Sequence, residues 1–494
     1  MNILLVYPQF PDTFWSFKHA LHFVRKKASS PPLGLLTVAA LLPEEWQKRL
    51  VDENVREMTA ADLAWADYVF VSGMVVQREQ ALRVVARCNA AGVKVVAGGP
   101  LFTSEHELFD GVDHFVLNEA ELTLPLFLAD LARGTPREMY TTTEFADVAQ
   151  SPVPLWDLAR MDDYDCMSLQ YSRGCPYNCD FCNVTVLFGH RPRTKTVAQL
   201  VAELDALYAR GWRKNVFFVD DNFIGNRKEV KTEILPALIA WRKGKRGMPF
   251  QTEVSINLAD DEELLDLMRE AGFTSVFVGI ETPDEGSLAE CNKTQNTRRD
   301  LVDSVRRLQR AGLQVQGGFI VGFDNDSPSV FQRQIDFIQR SGVVTAMVGL
   351  LQAPYGTKLY ARLQAEGRLR PDDHISGDNV DGSTNIIPKM DWETLRHGYR
   401  QILDTIYAPE QYYARVRTFL LEYRPPRIAA PLEFQYIMAF LRSNIQLGLK
   451  GVERLQYWRL LFWTLSRRPT LLPLAITLAI YGFHFRKVVE LHVH

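Results

Sequence analysis

Cys175, Cys179 and Cys182 fall within eight residues of the stretch Tyr171-Ser-Arg-Gly-Cys-Pro-Tyr-Asn-Cys-Asp-Phe-Cys-Asn183. Thiolates are soft ligands and select zinc, copper(I) or iron–sulfur centres. A structural zinc site and a fully ligated four-iron cluster each want four protein ligands. Three are present here, and no fourth Cys follows nearby. Gly174 and Pro176 bracket the first Cys and favour a tight loop in which the sulfurs converge. A four-iron cluster held this way keeps one iron open to an exogenous ligand. The alternative is zinc, with His190 as the fourth ligand.

Such a loop needs a scaffold, and the sequence supplies a regular one. From 166 to about 355, candidate strands at 167–171, 216–220, 250–256, 275–281, 315–321 and 346–352 alternate with helical patterns at 197–209, 261–271, 300–311 and 329–340. Six parallel strands with crossover helices suit a partial barrel, in which chemistry sits at the C-terminal strand ends. Polar and small residues gather there: Asp220, Asp221 and Asn222; Glu253, Ser255 and Asn257; Glu281; Gly317, Gly318 and Gly322. A carboxylate at such an end can hold an ammonium or hydroxyl group; a helix cap is the plainer role.

Ahead of it, residues 1–140 alternate short apolar runs (2–7, 68–72, 93–97, 114–117) with helical periodicity at 33–42 and 79–91. This predicts a doubly wound parallel sheet of flavodoxin or Rossmann type, with ligands beyond the carboxyl strand ends. Three ends stand out: Ser72-Gly73-Met74, Gly98-Gly99-Pro100 and Asn118-Glu119-Ala120-Glu121. Their glycines allow a large planar ligand close to the backbone. His106 and His114 read as structural surface histidines. Residues 141–165, with Pro152 and Pro154, read as a linker; 166–384 as the barrel; 385–494 as a helical region.

Composition excludes some classes. With 494 residues the chain is long enough for about three domains. Its net charge of −3 gives no argument for a nucleic-acid partner. Six cysteines, three of them clustered, do not form a secreted disulfide framework; Cys88, Cys166 and Cys291 read as buried structural thiols. The start, Met-Asn-Ile-Leu-Leu-Val-Tyr-Pro, lacks a basic segment and reads as a first strand. The expected location is the cytoplasm, peripheral on the membrane.

The cysteine spacing, with Phe181 before the third Cys, resembles the radical S-adenosylmethionine (SAM) superfamily. That resemblance implies a 4Fe–4S cluster on Cys175, Cys179 and Cys182, with SAM chelating the open iron. It implies Asp220 or Asp221 near the SAM amino group, Glu253, Ser255 and Glu281 toward methionine or ribose, and Gly318 and Gly322 near adenine. Pro354-Tyr-Gly-Thr-Lys-Leu-Tyr360 reads as a structural turn. The first segment resembles the cobalamin-binding domain of cobalamin-dependent radical SAM enzymes, which implies cobalamin against Ser72, Gly73, Met74, Gly98, Gly99, Pro100, Asn118 and Glu119. No D-x-H-x-x-G motif is present, so no histidine on cobalt is expected.

From Pro8-Gln-Phe-Pro-Asp-Thr-Phe-Trp-Ser-Phe17 to the region of Tyr407–Tyr413, the chain is similar to the hopanoid C-2 methylase group of those enzymes. What this implies is methyl transfer to an unactivated carbon of a hydrophobic, polycyclic lipid, with a flavodoxin or ferredoxin as electron donor. Relatives that form rings or bonds without methyl transfer are the alternative; a non-catalytic cobalamin or redox sensor is a third reading.

The C-terminal part reads as helices at 392–407, 409–421 and 432–447. Residues 450–494 carry seven Lys or Arg against two Glu, a balance of +5, and 469–485 contain no charged residue. Aromatic residues beside arginines suit the headgroup zone of a bilayer, so an interfacial anchor is expected. A buried helical hairpin is the alternative.

Overall fold

The computed structural model describes residues 1–370, 374–378, 380–426 and 434–492. The chain divides into two units: Met1–Pro11 with Lys27–Pro176 and Val184–Trp212, and Asp12–Lys26 with Tyr177–Asn183 and Arg213–His494.

The first unit is built on six parallel strands: β1 (Asn2–Tyr7), β2 (Gln47–Asp52), β3 (Tyr68–Ser72), β4 (Lys94–Gly98), β5 (His114–Val116) and β6 (Met139–Tyr140). Their order is β2-β1-β3-β4-β5-β6, a doubly wound, flavodoxin-like topology whose direction reverses between β1 and β3. The apolar runs explain it. Ile3 and Leu5 enter one core with Leu35, Phe70 and Phe127, while Leu4 and Val6 enter the other with Val69, Val84 and Leu101. Successive strand side chains point to opposite faces, so an unbroken apolar run is buried on both. Each such side chain stabilises the fold by about 1.5–3 kcal/mol. Helices Leu33–Leu41 and Arg78–Ala90 cover opposite faces.

The sequence reading misses β2 and β6. β2 is an edge strand whose Gln47 and Arg49 are exposed, so its pattern is polar; β6 has only two residues. Residues 141–165 are packed rather than loose. Trp156 and Tyr164 are buried, the Leu155 N–H donates to the Leu36 carbonyl (3.0 Å), and the Tyr164 hydroxyl donates to Asp52 (3.0 Å). The unit also holds β7 (Cys166–Leu169) and an antiparallel ribbon of β8 (Ser172–Arg173) and β9 (Arg193–Thr194).

The second unit contains β10 (Asn215–Phe218), β11 (Phe250–Glu253), β12 (Phe273–Glu281), β13 (Gln314–Val321) and β14 (Thr345–Leu350), parallel and in the order β14-β13-β12-β11-β10. Helices Glu262–Ala271, Leu301–Arg310 and Ser329–Ser341 alternate with these strands. Asp261 and Asp300, read as helical, are N-caps. Each accepts a backbone N–H three residues on and satisfies a donor the first turn leaves open.

Helices Trp392–Tyr407 and Pro409–Glu422 follow. Of the helix expected at 432–447, residues 432 and 433 lie outside the described residues; the rest is seen as Phe434–Ile445 and a π turn, Gln446–Lys450. Arg454–Arg467 and Leu472–His492 close the chain. By length and composition, Pro469–His492 is apolar enough to cross a membrane, yet it packs as a core helix does. The Tyr412 hydroxyl donates to the Leu478 carbonyl (2.6 Å). A Cβ at Gly482 would run into the Tyr412 ring. Phe14 sits on Phe485 (ring centroids 5.1 Å), and Phe17 stacks on His484 (5.3 Å).

Candidate functional site

Gly174 lets the cysteine loop turn. Its φ is 94°, and a Cβ there would lie 2.9 Å from the carbonyls of Phe188 and Arg191. The Cys175 N–H donates to Gly189 (3.3 Å), and Cys182 to Cys179 (3.2 Å). The loop's second half is braced from outside itself. Asp180 N–H donates to the Cys291 carbonyl (3.0 Å), Leu359 N–H to Asp180 (2.9 Å), and the Asn292 amide to Asn178 (2.9 Å). Phe181 packs beside Phe323 in a cluster with Cys291, Leu351 and Leu359, so its ring anchors the loop.

Two residues that the sequence reading misses stand beside the thiols. Lys293 places its charge near Cys179 and Cys182, and the Gln295 amide donates to Cys179 Sγ (3.7 Å). A cation and an amide donor both complement the negative charge of a thiolate ligand set. Burial and Glu281 instead push the Cys291 thiol up to about 12. It is a neutral structural thiol, as expected. His190, the ligand a zinc centre would need, is exposed. Among the described residues no three His, Cys, Asp or Glu are gathered about one metal ion. That holds for the three cysteines as well, so the fit to a thiolate-held cluster rests on the soft chemistry of these donors.

At the strand ends, the Glu253 carboxyl is strongly perturbed. Burial, then Asp221 and Asp220, push it up to about 8, against a weaker opposing effect of Lys293. Three carboxyls gathered at the ends of β10 and β11 favour a bound cation such as an ammonium. Ser255 joins a polar chain: Asn222 donates to Ser255 Oγ (3.4 Å), Ser255 to Asn257 (2.7 Å), and Asn257 to the Tyr177 hydroxyl (2.6 Å). Tyr177, between the first two cysteines, is a further residue the sequence did not single out.

Glu281 is committed within the protein. It has a φ of 63° and accepts from Lys293 (2.7 Å). Gly318 faces the Phe277 ring, 2.8 Å from where a Cβ would lie. Gly322 turns with a φ of 106°, donates to Asp326 (2.8 Å), and faces Leu395 and Leu351. Both glycines are accounted for by packing of the chain on itself.

In the first unit, Ser72, Gly73, Met74, Gly98, Gly99, Pro100, Asn118 and Glu119 follow the carboxyl ends of β3, β4 and β5, three neighbouring strands. The glycines serve the strands themselves: a Cβ at Gly98 would meet the Val116 carbonyl, and one at Gly99 the Ser72 hydroxyl. Met74 is exposed at this edge. Asn118 has a φ of 63°, and its side chain accepts from Thr141 (2.8 Å). His114 is buried rather than on the surface. It opens β5, at the opposite end of the sheet, with Nδ1 2.7 Å from the Arg137 carbonyl. His106 follows helix Pro100–Glu105, at its end away from that edge. Neither supplies an imidazole there.

Glu119 belongs to a buried ionic group. Its carboxylate accepts from Arg173 (2.8 Å), Arg193 (2.8 Å) and the Ala146 N–H (2.8 Å). Glu121 accepts from Arg173 through two nitrogens (2.8 and 3.0 Å). Burial raises the Glu121 carboxyl, but Arg173 outweighs it and holds the group at about 2. Arg173 stands two residues before Cys175. The carboxylates of this strand end therefore position the cysteine loop.

A family model described as the radical SAM superfamily matches residues 169–338, and one described as a domain of unknown function, DUF4070, matches residues 357–494. The chain is 41% identical to an uncharacterized methyltransferase, sll1242, of Synechocystis sp., over 99% of this chain and 92% of that one. It is 36% identical to hopanoid C-2 methylase of Rhodopseudomonas palustris, over 93% of this chain and 88% of that one. The fold is similar to that of the cobalamin-dependent SAM radical enzyme OxsB, solved with aqua-cobalamin and SAM bound. There the TM-score is 0.64 at 14% identity, over 99% of this chain and 80% of that one.

Proposed function

We propose a reaction from one premise: the chain belongs to the radical SAM methyltransferase family that includes hopanoid C-2 methylase. The reaction is transfer of a methyl group to an unactivated carbon of a hydrophobic, polycyclic lipid of the hopanoid kind. The observation that carries the substrate class is the reach of the likeness to the hopanoid methylase. It spans 93% of the chain and so extends well beyond the 169–338 core shared with radical SAM proteins in general.

A 4Fe–4S cluster, SAM and cobalamin would, when bound, supply the radical initiator and the methyl donor. Cys175, Cys179 and Cys182 would hold the cluster, and the edge from Ser72 to Asn118 the corrinoid. The protein's own part is to position. Lys293 would set a positive charge beside the sulfurs of Cys179 and Cys182, and Gln295 an amide donor on Cys179. Asp220 and Asp221 would present negative charge to the SAM ammonium, and a bound cation would let the buried Glu253 carboxyl beside them ionise. The chain from Asn222 through Ser255 and Asn257 to Tyr177 ties those strand ends to the cysteine loop.

The test compares polycyclic membrane lipids from cells with and without the gene by mass spectrometry. A gain of one CH₂ that depends on the gene and on Cys175, Cys179 and Cys182 supports the reading. Unchanged polycyclic lipids, while the purified protein still cleaves SAM, would overturn the lipid assignment and leave the family intact.

A further inference from the structure

The uncharged stretch that the sequence marks as an anchor packs against Tyr412, Phe14 and Phe17. A different surface lies open. Helices Phe434–Ile445 and Arg454–Arg467 are fastened to each other on their inner side: Ser443 bonds the Tyr457 hydroxyl (2.8 Å), and Trp458 Nε1 donates to the Gly448 carbonyl (3.0 Å). Their outer side is apolar. Ile437, Leu441 and Ile445 recur every fourth residue and are exposed, and Leu449 continues the row at 66% exposure. Val452, in the connecting turn, is 83% exposed; Leu455 and Phe462, seven residues apart on the second helix, are 67% and 65% exposed. Residues three, four or seven apart share a helix face. Soluble monomers expose large apolar side chains singly rather than in a continuous row.

The exposed charges carried by these two helices and the turn between them have one sign. Lys450, Arg454, Arg459 and Arg467 are exposed. The only acidic residue between 434 and 468 is Glu453, which is 2% exposed and accepts from Arg486 (2.5 Å).

We infer that this two-helix face is a docking surface for a bilayer bearing anionic headgroups, with the apolar row entering the headgroup–acyl boundary and the four cations meeting lipid phosphates. The charge pattern selects this occupant. In a symmetric pair of copies the same patch meets itself, so the four cations of one copy would meet those of the other, with no exposed carboxylate among the described residues of these two helices to offset them. An anionic leaflet supplies the missing sign. The inference deepens the lipid-substrate reading, and its test needs no substrate.

The full-length protein is floated with phosphatidylcholine vesicles and with vesicles that also contain phosphatidylglycerol. Binding to the anionic vesicles, weakened by salt, is expected. The variants Leu441→Glu/Leu455→Glu/Phe462→Glu and Lys450→Glu/Arg454→Glu should each lower the partition by about tenfold or more, while Leu126→Glu, at an exposed leucine of the first unit, should not. All substituted side chains are exposed, and circular dichroism checks that each variant is folded. Wild-type protein that ignores anionic vesicles, or folded variants that bind as well as wild type, would overturn the surface. So would a solution dimer that the triple variant makes monomeric, because the row would then be a contact between copies. Failure of the lipid-substrate reading looks different: vesicle binding persists and no lipid is methylated.

Discussion

The ammonium of Lys293 donates to Glu281 at 2.7 Å, and the same charge stands beside Cys179 and Cys182. Desolvation opposes the charge, but Glu281 and Cys179 outweigh it and hold Lys293 protonated well above its usual range. One cation thus serves a strained acid and two thiols.

Lys293→Gln should act on both. Removing one partner of a buried pair costs about 3–5 kcal/mol, read as an earlier midpoint in chemical denaturation. The cluster, losing a nearby positive charge, should become harder to reduce, and a potentiometric titration followed by paramagnetic resonance should show a more negative midpoint. Lys293→Arg should restore most of the potential. Equal potentials in wild type and Lys293→Gln would show that the pair is only structural.

Glu253 gives a pH dependence. Its ordinary value is 4.5 and its folded value about 8. Between those limits the unfolded chain has released the proton that the folded chain still keeps. Stability of the ligand-free protein therefore falls as pH rises through this window, by at most about 1.4 kcal/mol per pH unit from this group. Glu253→Gln removes the penalty. Its Tm should match wild type near pH 4.5 and exceed it increasingly up to pH 8; a constant difference across the range would refute the assignment.

The Arg173 group predicts the opposite slope. Glu121 is held at about 2, below its ordinary 4.5, so its contribution is present above pH 4.5 and is lost as pH falls toward 2. Arg173→Gln leaves Glu119 and Glu121 buried with one cation fewer. It should destabilise the protein by about 3–5 kcal/mol at pH 7 and flatten the acid limb of the stability curve. Urea titrations at several pH values measure both.

The last helix supplies a packing test. Gly482→Ala drives a methyl group into the buried Tyr412 ring, and overpacking of this kind costs about 1–3 kcal/mol. A lowered Tm is expected, with vesicle binding kept in the folded protein. Gly482→Ala with an unchanged Tm would mean that the helix does not pack as described.

Much of this protein is legible along the chain. The three cysteines, the carboxylates past β10 and β11, and the strand–helix alternation are local patterns, and the spacing of soft ligands or apolar residues is itself the physics that selects loop, strand or helix. Ile3 to Val6 read as a doubly buried strand because nothing polar interrupts them. The tertiary structure decided whatever depends on a partner far away. Glu119 looks like a ligand-facing carboxylate until Arg193, 74 positions on, takes it. Lys293 is an unremarked lysine until the chain returns it to Glu281 and the thiols. Residues 469–485 are uncharged whether they enter lipid or a protein core, since both solvents reject charge equally; only the rings of Tyr412, Phe14 and Phe17 show which. Composition and periodicity record what a side chain avoids. What it meets instead is fixed by contacts between distant parts of the chain.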